Sequence, residues 1–322
     1  MSDPHDAPVR EAVRAYAEIQ PGLREPTRRY VDLVTVLLDE AGINYLSVEG
    51  RTKSVASFAA KAMRKVEITD QIGVRVITYV HSDVAAVVGV FDDSLQILDD
   101  RDLGEETASQ GRFGYASRHL LVEVTDPPPP SYDDLVGHRA SIQVRTVLQH
   151  AWAEFEHDIR YKGTVPEEHA SDLDRRFTLA AGLLELADQE FAAIRERLQT
   201  TASADTPAAD PSDPRISGQE LAAFLAGQYT DAGWSHTDHY GWIAGLLLEL
   251  GITSLDELAD LLASVDPDAI IQRMGYRYPA GAVRRLDDAL LAIFGRQYVE
   301  LTGNAHRAAL LQTRLEKLTN GG

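Results

Sequence analysis

The sequence predicts an α/β domain built on a mixed sheet, followed by an all-helical module. Three observations carry that expectation. Strand-like segments such as GVRVITYV and RASIQVR alternate with amphipathic helical ones between Val9 and Leu198. The proline-, alanine- and aspartate-rich stretch TTASADTPAADPSDP then breaks the pattern and reads as a linker. Beyond it only short helical segments follow. The expected division is 1–200, a linker at 201–214, and a helical accessory domain at 215–322.

Taken in order, Val9 to Ala41 reads as two helices interrupted at Gln20-Pro21-Gly22, the second with Tyr30, Leu33, Val34, Leu37 and Leu38 at helical spacing. INYLSVEGR alternates as a strand does, and SVASFAAKAMRK is an alanine-rich amphipathic helix. GVRVITYV is a strand, and SDVAAVVGVFDD has a polar helix start. QILDD, SRHLLVEV and RASIQVR are three further strands, the last running into the long helix of IQVRTVLQHAWAEFEHDIRYKG. This order implies a sheet that is mixed rather than all parallel. In the tail, SGQELAAFLAGQY, YGWIAGLLLELG, SLDELADLLASV, PDAIIQRMG, PAGAVRRLDDALLAIFGRQYVEL and HRAALLQTRLEKL read as helices with serine, aspartate or proline starts.

Composition narrows the class. At 322 residues, with 44% hydrophobic and 25% charged residues, the chain is ordered and globular. Cysteine is absent, which excludes disulfides, thiolate catalysis and cysteine-ligated zinc and suits a reducing cytoplasm. MSDPHDAPVREAVRAY lacks the apolar core of a signal peptide, and no apolar run is long enough to span a bilayer. The expectation is a cytoplasmic protein away from membranes. A net charge of −19 repels nucleic-acid backbone, so any basic site must be local.

Four stretches carry chemistry. In Ala140 to Arg145, a strand period of two puts Ser141, Gln143 and Arg145 on one face and Ile142 and Val144 on the other. The helix that follows aligns His150, Glu154, His157 and Tyr161 at spacings of four, three and four. Such faces are commonly solvated surface. Upstream, GRTKSVASFAAK sets Arg51, Lys53, Ser54, Ser57 and Lys61 at a helix entrance, where free N–H groups and the helix dipole favour anions. ITDQIGVRVITY places Asp70 just before the strand carrying Arg75; a carboxylate beside a cationic phosphate site is what magnesium needs to bridge protein and nucleotide. GRFGYAS presents Tyr115 in a glycine loop, an aromatic free to stack on a base.

Together these stretches resemble the synthetase domain of the RelA/SpoT family, the GTP pyrophosphokinases that make guanosine tetra- and pentaphosphate in the stringent response. The resemblance covers roughly Val9 to Leu198 and is most specific in IQVRTVLQHAWAEFEHDIRYKG. It implies a nucleotidyltransferase-like mixed sheet, ATP as donor, Mg2+ as cofactor and a purine nucleotide as acceptor. By the same resemblance Arg51 and Arg75 sandwich the adenine, Lys53, Ser57 and Lys61 hold phosphates, and Asp70 is the metal ligand. Tyr115 stacks on the acceptor guanine, and His119, Gln143 and Arg145 belong to the acceptor and phosphate side. Glu154 matches a further acid of the family motif, with His150 and His157 bracing the junction.

The sequence departs from the family at one decisive place. The motif E-x-Q-x-R-T has Ser141 where its glutamate, the expected base or metal ligand, should stand. Serine is no base near neutral pH without a partner and is a poorer magnesium ligand than a carboxylate. The catalytic set is therefore Asp70 and Glu154, with Ser141 at the altered position. Three readings follow: alarmone synthesis on GDP or GTP with Glu154 covering part of the missing role, a toxin-like member acting on adenosine nucleotides or transfer RNA, and a nucleotide-binding pseudoenzyme. The net charge disfavours RNA. The helical tail is read as a place for a protein partner or self-association.

Overall fold

The computed structural model of the chain describes residues 7–109, 117–129, 131–162, 167–202, 215–276, 278 and 280–320. It divides into two compact units, residues 1–37 with 45–192, and residues 38–44 with 193–322. The expected linker lies outside the described residues from position 203 to 214.

In the first unit, α1 (Ala7–Ile19) and α2 (Arg24–Ala41) are separated by a 3₁₀ turn at Gln20–Leu23, with Pro21 in its first turn. There follow β1 (Tyr45–Thr52), α3 (Val55–Met63), β2 (Ile72–Thr78), α4 (His81–Ser94), β3 (Leu95–Asp102), α5 (Leu103–Ser109), β4 (Arg118–Val124), β5 (Ala140–Thr146), α6 (Val147–Lys162) and α7 (Glu167–Ala202). The sheet order is β1-β2-β5-β4-β3, with β2 and β5 parallel and every other pair antiparallel. The fold is thus a mixed five-stranded sheet flanked by helices, as the alternation of elements implies.

Strand register sorts the two faces. On one face Val74, Val76, Leu120, Val122, Ile142 and Val144 are buried beside Val87 and Phe91 of α4. Each such side chain contributes on the order of 1.5–3 kcal/mol when fully buried. The other face is polar in two rows. One runs Arg51, Gly73, Ser141, Leu121 and Asp99; the next runs Glu49, Arg75, Gln143, His119 and Arg101.

The β5–α6 junction is held by a reciprocal cap. The Gln149 N–H donates to Thr146 Oγ1 at 3.1 Å and the Thr146 N–H donates to Gln149 Oε1 at 2.9 Å. Buried Asp188 of α7 accepts the Thr146 hydroxyl at 2.7 Å. This junction explains the threonine and glutamine of RTVLQ: they fix the angle at which α6 leaves the polar face.

The second unit is helical: α8 (Gly218–Gln228), α9 (Thr237–Glu249), α10 (Leu255–Leu262), α11 (Pro267–Met274), α12 (Ala282–Phe294), α13 (Arg296–Val299) and α14 (Ala308–Asn320). Leu221, Leu225, Ile243, Leu247, Leu258, Leu286 and Leu290 are among its fully buried apolar residues. The segment expected as one helix from Ala282 is broken at Gly295, whose φ of 54° ends α12. Residues 38–44, the end of α2, count with this unit. There Glu40 meets Arg314 at 3.2 Å and Arg307 at 3.6 Å, and Arg284 donates to its backbone carbonyl. A Cβ on Gly281 would lie 2.1 Å from the Gly42 carbonyl oxygen, so only glycine permits that approach. Among the described residues no helix is long and apolar enough to cross a membrane.

Candidate active site

A cavity of about 510 Å³ opens on the polar face of the sheet. β1 contributes Glu49 and Arg51, β2 contributes Gly73 and Arg75, and β5 contributes Ser141, Gln143 and Arg145. Ala153, Glu154 and His157 of α6 form another wall, and Asp70, just before β2, a further one. Period two along three adjacent strands thus gathers residues that are 96 positions apart or less from many turns of sequence.

Seven expected residues meet in this cavity: Arg51, Asp70, Arg75, Ser141, Gln143, Arg145 and Glu154. Lys53, Ser57, Lys61 and His119 stand outside its lining. Tyr115 lies outside the described residues. Ser57 is in the first turn of α3, where its N–H donates to the N-cap Ser54 Oγ at 3.1 Å, so this N–H of the helix entrance is capped by the protein itself. Glu49 and His157 are additions. His157 was visible in the helix stripe, and Glu49 follows from the same alternation that places Arg51.

Lys53 Nζ donates to Asp70 Oδ2 at 2.6 Å, and Lys61 Nζ to Asp70 Oδ1 at 3.1 Å. Burial works against the Asp70 carboxylate, but the two lysines outweigh it and hold its pKa below the ordinary carboxylate range. Arg75 Nη1 lies 3.1 Å from Glu154 Oε1. Arg145 is pushed down to about 10, first by burial and then by repulsion from Arg75, with Glu154 opposing. Its Nη2 donates to Gln143 Oε1 at 2.8 Å, and its buried Nε has no partner among the described residues. An unmatched guanidinium N–H at a cavity wall is suited to an anionic ligand.

On the β4 side, His119 Nε2 and Ser117 Oγ are 2.7 Å apart. Burial, then Arg145 and Arg101, lower the His119 imidazole to about 4, so it is neutral at physiological pH. Five cations, Arg51, Lys53, Lys61, Arg75 and Arg145, thus face three carboxylates, Glu49, Asp70 and Glu154. Within a chain of net charge −19 this is a local excess of positive charge.

The chain is similar to known proteins over part of its length. GTP pyrophosphokinase YwaC of Bacillus subtilis (strain 168) is 31% identical over 165 residues, covering 47% of this chain and 73% of that protein. GTP pyrophosphokinase YjbM of the same organism is 30% identical over 168 residues, covering 49% and 75%. The crystal structure of small alarmone synthetase 1 from Bacillus subtilis, bound to its product pppGpp, aligns with 26% identity over 56% of this chain and 98% of that one, at a TM-score of 0.44. Residues 50–165, which span β1 through α6 and hold every cavity-lining position but Glu49, match the region found in RelA / SpoT proteins. The chain belongs to the RelA/SpoT family.

Proposed function

We propose that the protein is a nucleotide pyrophosphokinase that moves the pyrophosphoryl group of ATP to the 3′-hydroxyl of GDP or GTP. The observation that carries this reading is the convergence of Arg51, Asp70, Arg75, Gln143, Arg145 and Glu154 on one cavity of the polar sheet face. The acceptor oxygen attacks the β-phosphorus of ATP, the bond between the α- and β-phosphates breaks, AMP leaves, and the hydroxyl proton passes to a base. Such a transfer needs positioning and charge neutralisation more than covalent chemistry from the protein.

The donor side is assigned to Arg51 and Arg75 for the base and to Lys53, Ser57 and Lys61 for phosphates. His119, Gln143 and Arg145 are assigned to the acceptor, with Tyr115 as its stacking partner. Among the described residues no group of three His, Cys, Asp or Glu could hold a metal by itself. One cavity carboxylate, Asp70, fits magnesium that arrives already bound to nucleotide phosphates, since Mg2+ commonly takes one or two carboxylates plus phosphate oxygens. Bound there, the ion would neutralise phosphate charge. Glu154 is the acid nearest the role that Ser141 leaves open. The same reading places the enzyme in the cytoplasm and gives the helical unit to a protein partner or to self-association.

The test incubates the full chain with magnesium and γ-labelled ATP, plus GDP, GTP, ADP, AMP or transfer RNA in separate reactions. Label on GDP or GTP supports the proposal. Label on adenosine nucleotides or RNA replaces the acceptor, and ATP binding without transfer to any of them replaces the enzyme with a nucleotide-binding pseudoenzyme.

A further inference from the structure

His150 and Glu154 stand one turn apart on α6, and the carboxylate meets two nitrogens with one oxygen. Glu154 Oε1 lies 3.1 Å from Arg75 Nη1 and 3.8 Å from His150 Nδ1. Glu154 lines the cavity with its side chain 55% exposed, whereas the His150 side chain is 24% exposed. The His150 Nδ1 atom itself is buried and makes no hydrogen bond among the described residues. A buried ring nitrogen without a hydrogen bond is unfavourable unless some state of the protein supplies one. The acid in front of this nitrogen is Glu154.

The charged groups that act on the ring come from three strands and from its own helix. Arg75 of β2 and Arg145 of β5 disfavour its protonation, whereas Glu154 of α6 and Glu49 of β1 favour it. Burial is the largest influence and Arg75 the next, and they hold His150 below the ordinary imidazole range. At neutral pH the ring is therefore uncharged, with one N–H to donate.

The two partners of Glu154 differ in chemistry. A carboxylate paired with a guanidinium alone is favoured as the anion and is a poorer base. A neutral imidazole N–H orients the carboxylate without cancelling its charge, as a third group commonly steers a base. The 3.8 Å separation exceeds a hydrogen bond, and an approach of about 1 Å closes it. Catalytic contacts are often long in ligand-free enzymes and tighten around substrate.

We infer that His150 is a positioning residue for Glu154, its Nδ1–H fixing the carboxylate that takes the proton of the acceptor hydroxyl. As the new oxygen–phosphorus bond forms and the bond between the α- and β-phosphates breaks, that proton goes to Glu154 and His150 loses none. The pair lies on α6 alone, so the helix supplies the oriented base that β5, with Ser141, does not carry. This rests on the function proposed above and deepens it by naming the group that orients the base.

The test measures label transfer for His150→Leu, His150→Asn and His150→Gln in the full chain, each alone and with Glu154→Gln. His150→Leu is expected to lower kcat by about 10- to 100-fold, the scale of a reacting group misplaced by about an ångström. KM for ATP and for the acceptor should stay within about twofold, because the interaction acts in the transition state. Asparagine carries its amide N–H close to where Nδ1 stands and should recover most of the loss. Glutamine, whose amide corresponds to Nε2, should not. With Glu154→Gln already present, His150→Leu should cost nothing further, since residues that act as a unit are non-additive. Fully additive losses would overturn the inference, as would a glutamine variant at least as active as the asparagine one.

A second readout needs no activity and guards against a His150→Leu chain that fails to fold. In the ligand-free protein the His150 ring titration, followed by NMR, should move to lower pH in Glu154→Gln, because the carboxylate that favours its protonation is gone. An unmoved titration would also overturn the inference. A wild type that transfers label to no acceptor would sink the proposed function instead, and the ring titration would still decide whether His150 faces Glu154.

Discussion

Arg75 Nη1 lies 3.1 Å from Glu154 Oε1, and both side chains line one cavity. The guanidinium assigned to the donor base and the acid assigned to the role left open by Ser141 therefore hold one another in the ligand-free protein. With side chains 28% and 55% exposed, the pair is worth roughly 0–1 kcal/mol to stability. Glu154→Gln should accordingly leave the melting temperature almost unchanged while lowering kcat by about 100-fold or more, the scale of a lost general base. Parallel thermal melts and label-transfer rates check this. An unaltered kcat would remove Glu154 from the chemistry.

Ser141 sits on β5 directly beside Gly73 of β2, which places no side chain next to it. A longer side chain at position 141 therefore has the cavity to enter. Ser141→Glu is expected to raise pyrophosphoryl transfer by about 100- to 10,000-fold, the span attributed to a positioned base, with ATP affinity little changed. Rates measured at saturating ATP give the answer. If glutamate brings no gain, the acid function has moved to another residue and serine at this position is no defect.

Much of this site could be read from the chain because strands report their own faces. Alternation alone put Ser141, Gln143 and Arg145 together, and the structure leaves them half-buried between the buried Ile142 and Val144. Asp70, which precedes β2, was legible instead as a carboxylate beside a cationic stretch. What alternation cannot show is which strands become neighbours. Glu49 enters the cavity only because β1 pairs antiparallel with β2 and sets it across from Arg75. Nor does a helix-entrance pattern distinguish Lys53, which the fold buries, from Lys61, whose side chain stays 34% exposed. In the tail, Arg284, Asp287 and Asp288 of α12 are all buried. Arg284 pairs with Asp288 one turn on, but the other charged partners of the cluster come from residues 40, 307 and 314, which no local pattern shows.

His119 predicts a pH dependence of stability. Burial, then Arg145 and Arg101, hold its imidazole at about 4, against the ordinary 6.5. Between those values the unfolded chain binds a proton that the folded chain refuses, so this group makes stability fall as pH drops from 6.5 towards 4 and has no effect above that window. His119→Gln keeps a polar neighbour for Ser117 Oγ, now 2.7 Å from the ring nitrogen. Between about pH 7 and about pH 5 the wild type should lose several degrees more in melting temperature than the variant. Equal losses would mean that His119 is protonated in the folded chain without cost.

Asp287 is the centre of the charged cluster in the helical unit. It is 2% exposed and is bonded by Arg307, by the Tyr298 hydroxyl and by Arg314 at 2.7 Å. Burial raises its pKa, but Arg314 and Arg307 outweigh that and keep the carboxylate ionised far below the ordinary range. Replacing a whole buried network with apolar residues can be neutral, whereas removing one partner leaves uncompensated charge. In Asp287→Asn the side chain retains its size, and two buried guanidinium groups lose the more deeply buried of the two carboxylates they share, Glu40 being the other. The expected cost is about 3–5 kcal/mol, read as a lower denaturant midpoint for the transition that reports the helical unit, such as fluorescence of Trp242, whose ring lies 4.3 Å from the Arg307 guanidinium. A midpoint shift no larger than that of an exposed control such as Asp260→Asn would mean that water reaches the cluster and screens it.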